Sequence, residues 1–306
     1  MKTKARALLG LVYFGVRRAG ALPRVRLMKY AFLLSPDAQG VLGSAGYGFV
    51  PYKYGPFSFE LYHDLSKLCD QGYVIPDGSD GPLRIASESE GRAREQVEAL
   101  PCDIREALAA IPAKYQDSSQ DDLLREVYCR FPWYAVNSER PDLAPSPRPQ
   151  KPKADLAVYT VGYQRQSVDG FFDRLLRTGI RAIMDVRRNP VSRKYGFSRS
   201  AMGSIAEKLD LRYVHMPALG IDSQRRRSLR TRGDHERLLA WYGGDLPRRI
   251  EHVEVAAQFV SSQPTVLTCV ESDPSLCHRT TLARALSERT GLRVLDIGPS
   301  GAEGVS

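Results

Sequence analysis

The second half of the chain alternates short apolar segments with amphipathic helices, and this alternation limits its fold more than any other feature. Strands are predicted at residues 156–161, 181–186, 211–216, 265–270 and 292–297. Helices are predicted between them at residues 168–177, 199–209, 234–242, 248–262 and 279–290. Ser167 and Ser198 are suitable N-caps, and Gly179 is a suitable stop. We therefore expect an α/β fold with a Rossmann-like, doubly wound, mostly parallel sheet.

A proline-rich segment separates this half from the rest of the chain. Residues 137–153 contain five prolines and almost no large apolar side chains. Such a composition is typical of an extended spacer. We predict a helical domain at residues 1–136, a linker at 137–153, the α/β domain at 154–299 and a flexible tail at 300–306.

The first domain reads as mostly helical. Helices are predicted at residues 5–16, 25–34 and 59–71, where Ser58 is an N-cap and Gly72 a stop, and a short strand follows at 73–75. Further helices are predicted within residues 92–130. The runs Tyr-Lys-Tyr-Gly-Pro-Phe-Ser (52–58), Leu-Tyr-x-Asp-Leu (61–65) and Gly-Tyr-Val (72–74) resemble winged-helix modules of bacterial regulatory and antitoxin-like proteins. The resemblance covers residues 5–77 and implies DNA binding, with Lys53 as a phosphate contact, or a protein-docking role.

Positive charge is concentrated in one stretch of the second domain. The chain has a net charge of +9, and residues 181–232 hold 13 Lys and Arg against 4 Asp and Glu. Such a segment attracts nucleic acid or nucleotides, or forms a solvated cationic surface. Arg225, Arg226 and Arg227 fall in a predicted loop that would suit phosphate contacts, or would be a disordered surface loop.

The cysteines and the N-terminal segment indicate a cytoplasmic protein. Five cysteines is an odd number, and their spacing does not suggest a disulfide framework. Residues 7–16 are apolar and follow basic residues, as in a signal peptide, but Arg17 and Arg18 come next and no cleavage site follows. The segment is also too short to span a bilayer, so no membrane association is expected.

Polar residues collect where the predicted strands end, which is where ligands bind in open α/β sheets. Tyr163 follows the first strand, and residues 185–193 follow the second. His215 ends the third, and residues 269–279 follow the fourth.

These motifs resemble the family named domain of unknown function 488. They are Asp-Val-Arg-Arg-x-Pro-x-Ser-Arg (185–193), Phe-Ser (197–198), Tyr-x-His-x-x-x-Leu-Gly (213–220) and Cys-x-Glu-x-Asp-Pro-x-x-Cys-His-Arg (269–279). The resemblance covers residues 158–297. The family usually has a His where this chain has Tyr163, which puts a proton-transfer role there in question. The resemblance supports the predicted fold, whereas the family's name shows that its reaction is not settled.

The candidate catalytic residues are Glu271 and Asp185, with His215 assisting. Carboxylates near arginines can act as a base or stabilise positive charge on a reacting sugar. The alternatives are that one carboxylate only orients Arg187 or Arg188, and that His215 is a satisfied core histidine.

An anion is expected at the helix that opens near residue 277, because free backbone amides and the helix dipole favour negative charge there. Alternatively, Arg279 pairs with Asp185 or Glu271 in a buried structural network. Tyr163 would stack on a base or sugar, or would only cover the end of the first strand. The candidate ligand-binding residues are Arg187, Arg188, Ser192, Arg193, Tyr163, Cys277, His278 and Arg279.

Cys269, Cys277 and His278 also raise the question of a metal. The sequence shows no clear fourth ligand, and the spacing is not that of a known zinc finger, so no metal ligands are assigned. A phosphatase-type nucleophile is excluded, because Ser275 and Ala283 stand where an arginine would be needed. Buried packing cysteines are the alternative, and the cofactor stays open, with a divalent metal as one option.

The function predicted from these residues is hydrolysis of a phosphate- or sugar-bearing substrate, DNA or a nucleotide derivative. The winged helix would deliver the enzyme to DNA or to a protein partner. The alternatives are a non-catalytic DNA-binding regulator that senses a nucleotide-like ligand, and a toxin, antitoxin or defence component that works through protein contacts.

Overall fold

The computed structural model describes residues 1–78, 81–226, 229–298 and 303–304. The chain divides into two compact units, Met1–Gln150 and Lys151–Ser306. Each unit has its own buried apolar cluster.

The first unit combines helices with two small hairpins. Its elements are α1 (Thr3–Ala19), α2 (Arg24–Leu33), β1 (Val50–Tyr52), β2 (Gly55–Phe57), α3 (Phe59–Asp70), β3 (Val74–Pro76), β4 (Leu83–Ile85), α4 (Glu90–Glu98), α5 (Cys102–Lys114) and α6 (Gln120–Arg130). Ser58 caps α3, since its hydroxyl accepts a hydrogen bond from the amide of Leu61.

The two hairpins add strands to this helical unit. β1 and β2 pair antiparallel where the sequence indicated only a turn, because Tyr52 and Gly55 close a tight connection in which Gly55 has a φ of 87°. β3 pairs with β4, and Leu22 bridges to Leu83 beside this second hairpin. The helix α3 is therefore followed directly by a hairpin that is tied back to the segment between α1 and α2.

The first part of the proline-rich segment packs onto the first unit. Pro141–Leu143 form a short 3-10 helix in which Leu143 is buried. Arg140 pairs with Asp121 of α6 at 2.8 Å and with Asp142 at 2.8 Å. These contacts supply an apolar anchor and charged partners that composition alone does not reveal.

The second unit alternates strands and helices. Its elements are β5 (Val158–Gly162), α7 (Val168–Thr178), β6 (Ala182–Asp185), α8 (Arg199–Lys208), β7 (Arg212–His215), α9 (Arg232–Asp245), α10 (Ile250–Ser262), β8 (Thr265–Cys269), α11 (His278–Thr290), β9 (Val294–Asp296) and β10 (Glu303–Gly304). Of the predicted tail at 300–306, only β10 belongs to the described residues.

The sheet of this unit has the strand order β10-β9-β5-β8-β6-β7. All pairings are parallel except that of β10 with β9. Both faces of the sheet are buried, because neighbouring residues such as Ile183 and Met184 point to opposite faces and are both fully buried. The predicted α/β fold with a mostly parallel sheet is confirmed.

The strand order brings separate parts of the chain to one edge. β8 returns between β5 and β6, so the carboxyl ends of these three strands are neighbours. No helix among the described residues combines the length and apolar character that crossing a bilayer requires.

Candidate active site

A cleft of about 320 Å³ lies where the loops after β5, β6, β7 and β8 meet. Three cleft residues carry cationic or amide donors, and the rest are hydroxyl or apolar side chains. The lining residues are Tyr163, Arg187, Asn189, Val191, Ser223, Arg226 and Val270.

A buried ion pair forms one wall of this cleft. Asp185 and Arg187 are 0% and 2% exposed, and the Arg187 Nη2 to Asp185 Oδ2 distance is 2.5 Å. Arg187 also donates from Nε to Oδ1 at 2.8 Å, and Tyr213 donates its hydroxyl to Oδ2 at 2.7 Å. Both carboxylate oxygens of Asp185 are thus occupied, and the charge on Arg187 is compensated.

Tyr163 holds the other end of the same guanidinium. Its hydroxyl accepts a hydrogen bond from Arg187 Nη1 at 2.9 Å, and its ring stacks on Phe197 at 4.3 Å. The Phe197 carbonyl accepts from the same Nη1 at 2.8 Å. Burial raises the pKa of Tyr163, so this phenol is neutral at neutral pH.

His215 supports the backbone of this loop. Its Nε2 donates to the Arg187 carbonyl oxygen at 2.9 Å, and the ring is half-buried. The contact joins the end of β7 to the loop after β6.

Glu271 follows β8, and its two carboxylate oxygens contact different groups. Its Oε1 lies 3.9 Å from Arg226 Nη1, and its Oε2 accepts hydrogen bonds from the thiols of Cys269 and Cys277 at 3.3 and 3.1 Å. Burial raises the pKa of this carboxyl, but hydrogen bonds from its own amide and from the two thiols outweigh it. The pKa of Glu271 therefore lies below its ordinary value.

Arg279 fixes the backbone that carries Glu271. Arg279 is fully buried, and it donates to the carbonyl oxygen of Glu271 and, at 3.4 Å, to Asp296 Oδ1. Gly162 permits this arrangement, since a Cβ at that position would lie 1.7 Å from the Glu271 carbonyl oxygen. The guanidinium of Arg279 is part of a buried network rather than of the cleft lining.

Two thiols and an imidazole meet beside Glu271. Cys269, Cys277 and His278 are all buried, and their ligand atoms lie within 4.8 Å of one another. Cys277 occupies the N-cap position of α11, where the helix dipole favours negative charge. Burial and the neighbouring Cys269 raise the pKa of the Cys277 thiol. All five cysteines are free thiols.

The remaining predicted contacts are spread out. Arg188 and Arg193 are exposed, and the Ser192 hydroxyl accepts from the amide of Lys194. Arg225 lies over the ring of Trp241 at 4.0 Å.

Arg226, from the arginine run, lines the cleft. Its Nη2 donates to the Ile221 carbonyl at 3.0 Å, while its buried Nε has no hydrogen-bond partner among the described residues. Arg227 lies outside the described residues. Lys53, in the first unit, pairs with Glu139 at 3.0 Å.

Four residues of this site were missed by sequence reasoning. Asn189 and Ser223 line the cleft, Tyr213 binds Asp185, and Asp296 binds Arg279. Asp296 ends β9, so the strand-end rule that selected the others would have selected it too. Asn189 and Tyr213 lie inside the family motifs, but only the fold shows where their side chains point.

The comparison with protein families agrees with part of the sequence analysis. Residues 167–286 match the family model described as Domain of unknown function DUF488. The match confirms the resemblance stated for the second unit and adds no reaction. No curated protein and no solved structure matches the chain. The winged-helix resemblance of the first unit stays a prediction.

Proposed function

We propose that the cleft binds a phosphate-bearing ligand, a nucleotide or a nucleic-acid strand, and that the second unit hydrolyses a bond in it. The observation that carries this proposal is Arg226: it lines the cleft, and its buried Nε is without a partner among the described residues. A buried polar atom without a partner costs about 1–3 kcal/mol, which an oxyanion would recover by turning the Arg226 guanidinium toward the cleft. Asn189 and Ser223 supply neutral donors to the same ligand.

In this proposal Glu271 is the catalytic carboxylate. Its Oε1 lies beside Arg226, so it can accept a proton from a water that attacks a ligand held by that arginine. Asp185 is a positioning residue, since both of its oxygens are engaged by Arg187 and Tyr213. His215 supports the same loop through the Arg187 carbonyl.

The test is product analysis with matched variants of the full chain. The protein is incubated with single- and double-stranded DNA, RNA and a nucleotide panel, with and without divalent metals, and products are identified by mass spectrometry. Glu271→Gln should abolish turnover while ligand binding persists, and Arg226→Ala should weaken binding. Arg248→Ala is the control, because that side chain is 86% exposed and its ion pair is with Asp245 at 4.0 Å.

Two outcomes contradict the enzyme proposal. Ligand binding without any product favours the regulator that senses a nucleotide-like ligand. The absence of both binding and product at moderate salt, with a co-purifying protein, favours the toxin, antitoxin or defence alternative.

For the first unit we propose a protein partner rather than DNA. Support for a winged-helix role comes from α3, the hairpin β3–β4 after it and the Leu22–Leu83 bridge. The helix that would enter a DNA groove is α3, and it carries three carboxylates, Glu60, Asp64 and Asp70, against Lys67. These carboxylates would repel phosphates. Any DNA affinity of the full chain should therefore survive Lys67→Ala and fall with Arg226→Ala, and the reverse result would reassign DNA binding to α3.

A further inference from the structure

We infer that the second unit holds a zinc ion between Cys269, Cys277, His278 and Glu271. This inference does not depend on what the cleft binds: Glu271 would hold the ion through Oε2, while its Oε1 stays beside Arg226 in the cleft. The fourth ligand that the sequence did not reveal is Glu271, whose Oε2 lies 3.3 Å from the Cys269 sulfur and 3.1 Å from the Cys277 sulfur. Two sulfurs, an imidazole nitrogen and a carboxylate oxygen form a donor set that zinc binds tetrahedrally.

Three of the distances between these atoms are close to those of a tetrahedral zinc site. Zinc bonds of about 2.3 Å to sulfur and about 2.0–2.2 Å to nitrogen or oxygen place ligand atoms roughly 3.5–3.8 Å apart. The Cys269 sulfur lies 3.7 Å from His278 Nδ1, and the two sulfur–oxygen distances are a few tenths of an ångström shorter than this range. Glu271 is not part of the group whose ligand atoms all lie within 4.8 Å of one another, so its carboxylate would have to turn toward His278 as the ion enters.

The imidazole of His278 is already oriented for coordination. Its Nε2 lies 3.0 Å from the Val186 carbonyl oxygen, which can only accept, so Nε2 carries the hydrogen. In the neutral ring Nδ1 then keeps a free lone pair, and this is the nitrogen that faces Cys269. Histidines that bind metals usually donate their other ring N–H to a carbonyl or carboxylate in this way.

The surroundings of the four ligands also fit a metal site. Cys269, Cys277 and His278 are at most 3% exposed, while the Glu271 side chain is 28% exposed and gives the ion a route in. Zinc with two thiolates and one carboxylate keeps one net negative charge, which Arg226 faces through Oε1. Cys277 stands at the N-terminus of α11, where the helix dipole favours negative charge.

Metal analysis of the full-length protein tests this inference. The chain is unfolded and stripped with a chelator, refolded with Zn²⁺, desalted and analysed by elemental mass spectrometry. We expect one zinc per chain in the wild type, a loss of at least tenfold in affinity for Cys277→Ser, and unchanged zinc for Cys102→Ser. Cys102 is an exposed free thiol in the first unit, so it is a matched control.

Cobalt substitution supplies a readout that needs no variant. Co²⁺ in this site should give intense visible bands typical of tetrahedral coordination, together with thiolate-to-cobalt charge transfer in the near ultraviolet. Weak octahedral bands, or zinc content that Cys277→Ser and Cys102→Ser lower equally, would overturn the inference. Arg226→Ala should keep its zinc, so failure of the ligand-binding proposal is distinguishable from failure of the metal site.

Discussion

Two adjacent arginines show how differently neighbouring residues of one motif are used. Arg187 is buried against Asp185, whereas Arg188 is exposed and donates to the Pro217 carbonyl at 3.4 Å. Sequence reasoning proposed both for ligand binding. It could not tell them apart, because the direction of each side chain depends on the path of the loop after β6 and on Tyr163 and Tyr213, which arrive from other strands.

The buried pair predicts a large loss of stability when it is broken. Asp185→Asn leaves the Arg187 guanidinium buried without a counter-charge, so the second unit should lose about 3–5 kcal/mol of unfolding free energy. Urea titration followed by circular dichroism measures this change. Arg188→Ala, the exposed neighbour, should stay within about 0.5 kcal/mol. Equal losses in the two variants would show that Arg187 and Asp185 do not act as a desolvated pair.

Lys29 makes the stability of the first unit depend on pH. It is 2% exposed, its amine donates to the Pro56 carbonyl at 2.9 Å, and burial lowers its pKa from 10.5 to about 7. Between these values the unfolded chain binds more protons than the folded one, so stability rises with pH. The contribution of Lys29 is complete above pH 10.5 and is lost as pH falls through about 7.

The measurement for Lys29 is a difference between two pH profiles. The unfolding free energy of the wild type minus that of Lys29→Met should rise by up to about 4–5 kcal/mol between neutral and alkaline pH. Met is close to Lys in length and does not titrate, so other groups cancel in the subtraction. A difference that stays flat across this range would mean that Lys29 remains charged inside the fold.

Among the secondary-structure elements, features set by nearby residues, such as helix caps, were predicted better than features that depend on contacts distant in sequence. Ser167 and Ser198 cap α7 and α8 as predicted, because a cap depends on residues two or three positions away. The hairpin β1–β2 was not predicted, since its strands are three residues long and show no clear alternation. The convergence of Glu271 with two thiols was missed because it depends on how the loop after β8 folds back onto α11.

The end of β5 and the loop after β8 approach so closely that position 162 has room only for a glycine. Gly162→Ala would place a methyl group 1.7 Å from the Glu271 carbonyl oxygen, against backbone that Arg279 holds in place. We expect a loss of about 2 kcal/mol or more in stability, together with weaker binding in the cleft. The measurements are thermal unfolding and ligand titration of the same sample.

The control for this change is another glycine of the second unit. Gly244 lies near the end of α9 and is exposed, and a methyl group added there would meet no atom within 4 Å. Gly244→Ala should stabilise the protein by up to about 1 kcal/mol, since alanine favours helix. A Gly162→Ala protein as stable as the wild type would show that the loop after β8 moves freely.

At the scale of the whole molecule, we predict that the two units fold independently. Among the described residues, the apolar cluster of the first unit ends at residue 144, and that of the second begins at residue 158. Every residue placed in the cleft and in the zinc site belongs to the second unit. We therefore expect the fragments 1–150 and 151–306 to fold separately.

The fragment experiment also decides where function resides. Each fragment should show cooperative thermal unfolding, and fragment 151–306 should keep the zinc content and the ligand affinity of the full chain. The cleft lining consists of residues of the second unit, from loops that a single sheet brings together. If fragment 151–306 folds but loses ligand affinity, the first unit contributes to ligand binding. The proposal that the first unit only contacts a protein partner, while the second unit alone binds the ligand, would then be wrong.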